Sequence, residues 1–455
     1  MQDSGVVQTC GFFHSNREDT EKSDKTTGLR LLKTRHESGL RVNILPKSGF
    51  TKKFAGIYIP FGSVNTVVRY NGRSVRLPAG TAHYMEHCVF SKDEGGGLLS
   101  RLSAMGANAN AFTSFDSTMY YFSSSENFRE ILDVYARAVM SPYLGQDRIE
   151  SEREIIIQEL GMYKDNADNS AFNELTANMY SRHPVRYDIG GTPDSVRRIR
   201  PVHLEAVKCT CYFPPSAVLT ICGDVDLADV PDLSEYSVQN KTIDETAVND
   251  LHFGTVNEPL SVLKRESRMY MDVAVGSFLL GFKNQQTAKL DAMTRSEFLR
   301  YKKRSELLLD TLLGEASDAF EYLFKRGLIN DSFGVSAVYL NGASFIMIGG
   351  ESNDPESACY EVRKILNEKL IEGPDDRSRN DFDLKVKMST GDFVRSLDHV
   401  DSLGMMQSRM SVYDLDVFEY FGIYDNMDID EAFNDLRSAV SDEASSEVYV
   451  FRKKR

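Results

Sequence analysis

Long apolar runs are missing from this chain of 455 residues: no segment approaches the roughly 18 consecutive apolar residues that a membrane-spanning helix needs. Residues 1–28 also lack the basic segment and apolar stretch of a secretory signal peptide, and we expect a polar N-terminal extension there. The few cysteines are scattered along the chain, at Cys10, Cys88, Cys209, Cys211, Cys222 and Cys359. They form neither a disulfide framework nor the paired spacing of a structural zinc site, so we expect reduced thiols in a cytoplasmic protein.

Basic residues are also fewer than acidic residues. The chain has 53 Lys and Arg against 67 Asp and Glu, which gives a formal net charge of -14. Such a surface repels phosphates, so nucleic acid is not an expected partner. The hydrophobic share of 41% and the charged share of 26% are typical of a globular protein. The length predicts two or more domains.

The order of predicted strands and helices repeats once along the chain. The first half has strands at 39–45 and 53–60, a helix with the sequence TAHYMEHCVF, a hairpin at 108–123, helices at 127–140, 147–165 and 169–181, and a strand at 217–222. After a polar linker at 228–268, the same order returns with a strand at 272–282, a long helix at 296–327 and a final strand at 447–451. We predict an α+β fold with domains at 29–227 and 269–455, built as two copies of one unit. Two unrelated α+β domains are the alternative.

A short motif on the first of these helices carries the chemistry. His83 and His87 are four residues apart, which places both imidazoles on one helical face where they can bind a single metal ion. Glu86 lies near the same face, close enough to take a proton from a metal-activated water that acts as the nucleophile. This is the HxxEH arrangement of a hydrolase. A surface helix with two solvated histidines is the alternative, but the flanking Gly80 and the apolar Val89 favour a packed helix.

A catalytic zinc site needs a third protein ligand from another element. The helix that follows Asp147 offers Glu150, Glu152, Glu154 and Glu159. Glu159 lies in the apolar part of this helix, where an unpaired carboxylate would be costly, so we expect it to be the ligand and Glu152 to support the site. Zinc is the expected metal for two histidines and a glutamate, although manganese and cobalt also fit such ligands. A solvated charge is the alternative for any one of these glutamates.

Several segments in one order resemble the pitrilysin/insulinase family of zinc metallopeptidases, which includes the mitochondrial processing peptidase. They are PAGTAHYMEHCVF, GANANAFTSFDSTMYYF, RIESEREIIIQELGMYKDN, HPVRYDIGGT and CYFPPSAVLTICGDV. The likeness is strongest to the short, bacterial, processing-peptidase-like members. It implies two homologous α/β-sandwich domains of the metalloenzyme type in one chain, the second of them free of metal.

The resemblance also implies roles for individual residues. His83, His87 and Glu159 look like the zinc ligands, Glu86 like the general base, and Glu152 like a residue that orients a ligand or the base. The strand residues Asn110, Ala111 and Phe112 match the edge strand that pairs with the substrate backbone in this family. A well-packed hairpin is the alternative for that strand. In the second half, Arg409 and Tyr413 lie in the region from which some members bind substrate, but a charged helix face explains them equally well.

The expected function is a zinc-dependent endopeptidase that cleaves peptides or unfolded segments inside an enclosed chamber. Short members of the family work in pairs, so the resemblance implies a homodimer or a heterodimer with a related chain. A non-catalytic or partner-dependent subunit of a heterodimeric processing peptidase is the alternative. The full HxxEH and glutamate set is present, which favours the enzyme. Neither a membrane nor a nucleic acid is an expected partner.

Overall fold

The computed structural model describes residues 20–24, 28–90, 97–238 and 257–453. Most of the expected N-terminal extension, with Cys10, lies outside the described residues, and so does the middle of the expected linker, at 239–256. Within the described ranges, every helix is too short or too polar to cross a membrane.

The described residues contain fourteen strands. They are β1 Thr20–Ser23, β2 Arg30–Arg35, β3 Arg41–Pro46, β4 Lys53–Ile59, β5 Val67–Tyr70, β6 Arg73–Arg76, β7 Asn108–Thr113, β8 Thr118–Ser124, β9 Val218–Gly223, β10 Glu266–Met271, β11 Gly276–Lys283, β12 Gly334–Leu340, β13 Ala343–Ser352 and β14 Ser445–Arg452.

The same residues contain sixteen α-helices. They are α1 Thr81–Phe90, α2 Leu98–Ala104, α3 Phe128–Met140, α4 Gln146–Asp165, α5 Ala167–Met179, α6 Pro193–Arg197, α7 Pro201–Cys211, α8 Ser234–Val238, α9 Thr287–Asp291, α10 Arg295–Leu313, α11 Asp318–Lys325, α12 Pro355–Glu372, α13 Asp376–Ser396, α14 Val400–Met410, α15 Val417–Gly422 and α16 Ile429–Ala439. Short 3-10 turns occur at Pro184–Arg186, Pro214–Ser216, Leu227–Asp229, Ser411–Tyr413 and Asp442–Ala444.

Two sheets repeat one topology. The first sheet has the order β1-β2-β3-β9-β4-β8-β7, and the second has the order β10-β14-β11-β13-β12. In both, one parallel pair joins an early strand to the last strand of the unit, β3 with β9 and β10 with β14. The remaining neighbours are antiparallel. The predicted α+β fold class with two copies of one unit is therefore confirmed, and the alternative of two unrelated domains is wrong.

Three details differ from the sequence-based prediction. Strand β1 lies within the expected extension and pairs with β2 at the edge of the first sheet. The single strand expected at 272–282 is two strands, β10 and β11, of which β10 begins inside the expected linker. The single helix expected at 296–327 is also two helices. It breaks because Gly314 ends α10 and the Ser317 side chain caps the start of α11 by accepting from the Phe320 N–H.

The two halves of the chain are joined by an exchange of helices between the sheets. Helix α5 from the first half packs against β10, β11 and β14 of the second sheet, while α14 from the second half packs against β4 and β9 of the first. The buried cluster around α14 joins Leu403 to Phe54 and Tyr58. Because each sheet is covered partly by the other half, the orientation of the halves is set by core packing.

A buried ion pair reinforces this junction. The Lys283 ammonium lies 2.9 Å from the Glu258 carboxylate, and the two side chains are only 4% and 5% exposed. Lys283 also donates to the carbonyl of Met179 at the end of α5. Glu258 accepts backbone N–H groups of Ser181 and His183. Burial alone raises the pKa of Glu258, but the Ser181 N–H and the other donors, including the Lys283 ammonium, outweigh it and lower the pKa to about 2.

We expect Glu258→Gln to destabilise the fold by about 3 kcal/mol, because it leaves the buried Lys283 ammonium without a counter-charge. The measurement is the free energy of unfolding from guanidinium denaturation. The matched control is Glu321→Gln, which breaks an exposed pair with Lys325 and should cost at most about 0.5 kcal/mol. Equal losses in the two variants would contradict a structural role for the buried pair.

The same pair predicts a pH dependence. Since the folded-state pKa of Glu258 lies below its ordinary value of 4.5, its stabilisation is complete above pH 4.5 and is lost as the pH falls towards 2. The difference in stability between wild type and Glu258→Gln should therefore narrow over that interval. A difference that stays constant down to pH 2 would mean that the Glu258 charge contributes nothing.

Candidate metal centre

Helix α1 presents its polar residues on one side. Its buried residues, among them Tyr84, Met85 and Cys88, pack into the core between the helices and the first sheet. The helical period then leaves His83, with Glu86 and His87 one turn later, on the partly exposed face. The motif lies in a packed helix, so the alternative of a surface helix with two solvated histidines is wrong.

Helix α4 lies beside α1 and is held there by specific contacts. The Tyr84 hydroxyl donates to the carbonyl of Ile149 in the first turns of α4. Ile149, Ile156 and Leu160 are buried on one face, as their spacing predicts. Gly80, at the start of α1, has φ +88°, and a Cβ there would stand 2.3 Å from the carbonyl oxygen of Gly190. The absence of a side chain therefore lets the loop at 188–191 close over this end of α1.

Three predicted ligands meet between the two helices. The Nε2 atom of His87 lies 3.2 Å from Glu159 Oε2, and Nε2 of His83 lies 3.8 Å from Glu159 Oε1. One ligand atom from each of the three residues falls within 4.8 Å of the others. Ligand atoms about 2.1 Å from a tetrahedral zinc ion stand about 3.4 Å from one another, so the donor set fits such an ion.

Glu152 contacts the other nitrogen of His87. Its Oε2 lies 3.3 Å from His87 Nδ1, so a ring proton on Nδ1 can be donated to this carboxylate, while Nε2 is the nitrogen on the side of Glu159. Such a carboxylate–histidine contact orients a metal ligand and raises its basicity. The burial argument made from the sequence is wrong, however: the side chain of Glu152 is 11% exposed and that of Glu159 is 26% exposed. The more buried carboxylate is the one that orients His87.

Glu86 lies beside this cluster but points to the first sheet. Its carboxylate accepts a hydrogen bond from the hydroxyl of Thr113, the last residue of β7. Burial is the main cause that raises the pKa of Glu86 above its ordinary value of 4.5. A largely buried carboxylate with a raised pKa is suited to accept a proton from a nearby water.

Burial and neighbouring charges shift the pKa values of His83, His87 and Glu159. Burial, with His87 as a second cause, lowers the pKa of His83 to about 4. The hydrogen bond from His87 is the largest cause that lowers the pKa of Glu159 to about 2. Burial opposes the charge on His87, but Glu152 and Glu159 outweigh it and raise its pKa to about 9. A neutral His83 and an ionised Glu159 are the protonation states that metal ligands require, whereas a bound metal ion would have to replace the Nε2 proton that the two carboxylates favour on His87.

The predicted substrate strand β7 lies at the edge of the first sheet. Ala111 packs towards the helices that carry the metal ligands, whereas Phe112 packs on the opposite face with Tyr121. The Asn110 side chain accepts the backbone N–H of Ala111. Asn110, Ala111 and Phe112 therefore do not share one face, and their contact with substrate stays a prediction.

The second-half residues Arg409 and Tyr413 lie away from the metal ligands. Both border a cavity of about 560 Å³ that Phe112 and Tyr58 also line, on the opposite face of the first sheet. Thr113 was not identified from the sequence, although the alternation Ala109, Ala111, Thr113 in β7 would have placed it on the helix-facing side.

Known proteins resemble both the sequence and the fold. Residues 54–193 match the family described as Insulinase (Peptidase family M16). The chain is 29% identical to the uncharacterized zinc protease YmfH of Bacillus subtilis, over 89% of this chain and 92% of that protein. It is 28% identical to the human mitochondrial-processing peptidase subunit beta, over 51% of this chain and 47% of that protein.

A solved structure covers nearly the whole chain. The M16-like peptidase from Alicyclobacillus acidocaldarius superposes with a TM-score of 0.81 and 25% identity, over 93% of this chain and 99% of that one. The matched residues 54–193 contain α1, β7 and α4, the three elements that build the metal centre. The chain therefore carries a domain of the insulinase family, peptidase family M16.

Proposed function

We propose that the chain is a zinc-dependent endopeptidase that cleaves peptides or unfolded segments. The observation that carries the proposal is the meeting of His83, His87 and Glu159 within 4.8 Å, with the Glu86 carboxylate beside them. The zinc protease from Bacillus subtilis supports zinc as the metal. Two imidazoles and one carboxylate leave a fourth position open, as catalytic zinc sites do.

Zinc in this site would polarise the scissile carbonyl and lower the pKa of a water. The residues of the chain do the rest. Glu86 accepts the proton of the attacking water and returns it to the leaving amine. Glu152 holds His87 in the tautomer and orientation that a ligand needs. Thr113 donates a hydrogen bond to the Glu86 carboxylate and fixes its orientation beside the site.

The edge of β7 is the proposed binding site for the substrate backbone. An extended peptide can add to this edge as a further strand, with Asn110, Ala111 and Phe112 beside it. Such pairing recognises main-chain groups, so the substrate must be unfolded where it binds.

The proposal also includes an enclosed chamber and a cytoplasmic location. It further includes pairing with a second related chain, as a homodimer or a heterodimer. The likeness to a protein named as a peptidase subunit supports the pairing.

The proposal also assigns different roles to the two halves of the chain. Residues 29–227 would form the catalytic domain and residues 269–455 a metal-free one. Within the described part of the chain, His83, His87 and Glu159 are the one group of three or more His, Cys, Asp or Glu residues that could hold a metal ion.

The alternative function is a non-catalytic or partner-dependent subunit of a heterodimeric processing peptidase. It is disfavoured because the proposed ligands, base and orienting carboxylate occur together in one chain. Gel filtration followed by peptide cleavage, with and without a related partner chain, separates the two functions. A self-sufficient peptidase cleaves without the partner.

We expect Glu86→Gln to lower the rate of peptide cleavage by at least about a hundredfold, because the amide cannot accept the proton. The substrate is a quenched, unstructured peptide of about 20 residues, which is long enough to pair along β7. Zinc affinity should stay at the wild-type level since the three ligands are intact. Cleavage at the wild-type rate would exclude Glu86 as the base.

Zinc binding tests the ligands independently of activity. Glu159→Gln should weaken zinc binding by more than about a hundredfold, and Glu152→Gln by about tenfold to a hundredfold. The matched control on the same helix is the exposed Glu154, whose change to Gln should leave the affinity unchanged. The measurement is competition with a chromophoric chelator. Wild-type affinity in Glu159→Gln would show that this carboxylate is not a ligand.

Thr113→Val should lower kcat at least about tenfold, because it removes a hydrogen bond to a charged carboxylate. Thr113→Ser keeps the hydroxyl and should retain most of the activity. In a Glu86→Gln background, Thr113→Val should have no further effect, since the two residues act as one unit. Additive losses in the double variant would mean that Thr113 acts through some other contact.

A further inference from the structure

The cavity of about 560 Å³ lies on the face of the first sheet opposite to the metal ligands. Its walls come from both halves of the chain: Phe112 and Met119 of the β7–β8 hairpin, Lys302 of α10, and Met405 and Arg409 of α14. The packing of α14 on β4 and β9 holds these walls together. The cavity is therefore part of the junction between the halves and is separate from the proposed metal centre.

Strand β7 connects the cavity to the proposed substrate site. Along this strand, Ala111 and Thr113 face the helices of the metal centre, and Phe112 faces the cavity. A peptide paired with the free edge of β7 would have the same alternation. Every second side chain of the peptide would then lie on the face where the cavity is.

The cavity has an excess of positive charge. Lys302, Lys303 and Arg409 line it, against a single carboxylate, Asp116. Lys303 is 2.8 Å from the Glu306 carboxylate and is thus compensated. Burial raises the pKa of Asp116 above its ordinary value. Lys302, which is half-buried, and Arg409, which is exposed, are the other two cations of the lining.

Lys302 and Arg409 form no ion pair with any residue in the described part of the chain. Burial is the main cause that lowers the pKa of Lys302; the Glu306 and Asp116 carboxylates oppose this shift, and nearby Lys303 and Arg409 add to it. Bringing an anion into this site would relieve the repulsion between the cations. The methionine and phenylalanine walls fit the methylene stem of such a ligand.

We propose that this cavity is a specificity subsite that binds an acidic side chain of the substrate peptide, with Lys302 and Arg409 as its cationic partners. The inference rests on the proposed peptidase function and adds a substrate class to it. The acidic residue would be on the face of the bound strand opposite to the metal, so its effect should depend on its position in the peptide with a period of two.

The test is a positional scan of a quenched, unstructured peptide in which Glu, Gln or Lys replaces each residue in turn. At one position, or at positions two apart, we expect Glu to raise kcat/KM about tenfold over Gln, as a charge-assisted hydrogen bond would. The gain should appear mainly in KM. The double variant Lys302→Met with Arg409→Met should lose the preference for Glu and cleave the Glu and Gln peptides with equal kcat/KM.

Lys364→Met is the matched control, because Lys364 is exposed on α12 and does not line the cavity. It should keep the preference for Glu. Equal cleavage of the Glu and Gln peptides by wild type, a preference for Lys, or a Glu preference that survives in the double variant would each overturn the inference. The wild-type scan decides the first two even if the double variant does not fold. Failure of wild type to cleave any peptide would instead overturn the proposed function itself.

Discussion

The contact between α1 and α4 is the constraint on which the candidate metal centre depends. Tyr84 and Ile149 join the two helices in the core through a hydrogen bond and apolar packing. The polar face of α1 therefore lies against the polar side of α4. Glu152 is buried by this packing and needs a partner, which His87 supplies. Glu159, two turns further on, reaches the opposite nitrogen of the same ring. Core packing thus orients the ligand atoms.

The edge strand β7 divides two environments. On its helix-facing side, Thr113 contacts Glu86 and so joins the sheet to the metal centre. On its other side, Phe112 borders a cavity whose cations come from helices of the second half. A peptide paired with this edge would have side chains on both faces of the sheet, some beside the candidate metal centre and some beside the cavity. In the proposed function, the second half of the chain therefore borders the substrate site, although the proposed ligands all come from the first.

The exchange of α5 and α14 between the sheets gives the two halves two shared buried clusters, one around each helix. The buried pair of Glu258 and Lys283 lies at this junction and adds directional contacts to the apolar packing. A rigid junction keeps the walls of the cavity in register with β7, because α14 packs on β4 and also lines the cavity.

The sequence by itself determined the α+β class, the repeated order of strands and helices, and the motif residues His83, Glu86 and His87, because hydrophobic period and motif spacing are local properties. Glu152 and Glu159 were assigned through the resemblance to a known family, since the burial argument that separated them was wrong. Their roles stay predictions, but the tertiary structure decided their geometry, including that Glu152 is the more buried carboxylate. It alone decided the two separate strands β10 and β11, the hydrogen bond from Thr113 and the cavity that joins Phe112 to Lys302. These features depend on contacts between residues far apart in the chain, which no local pattern encodes.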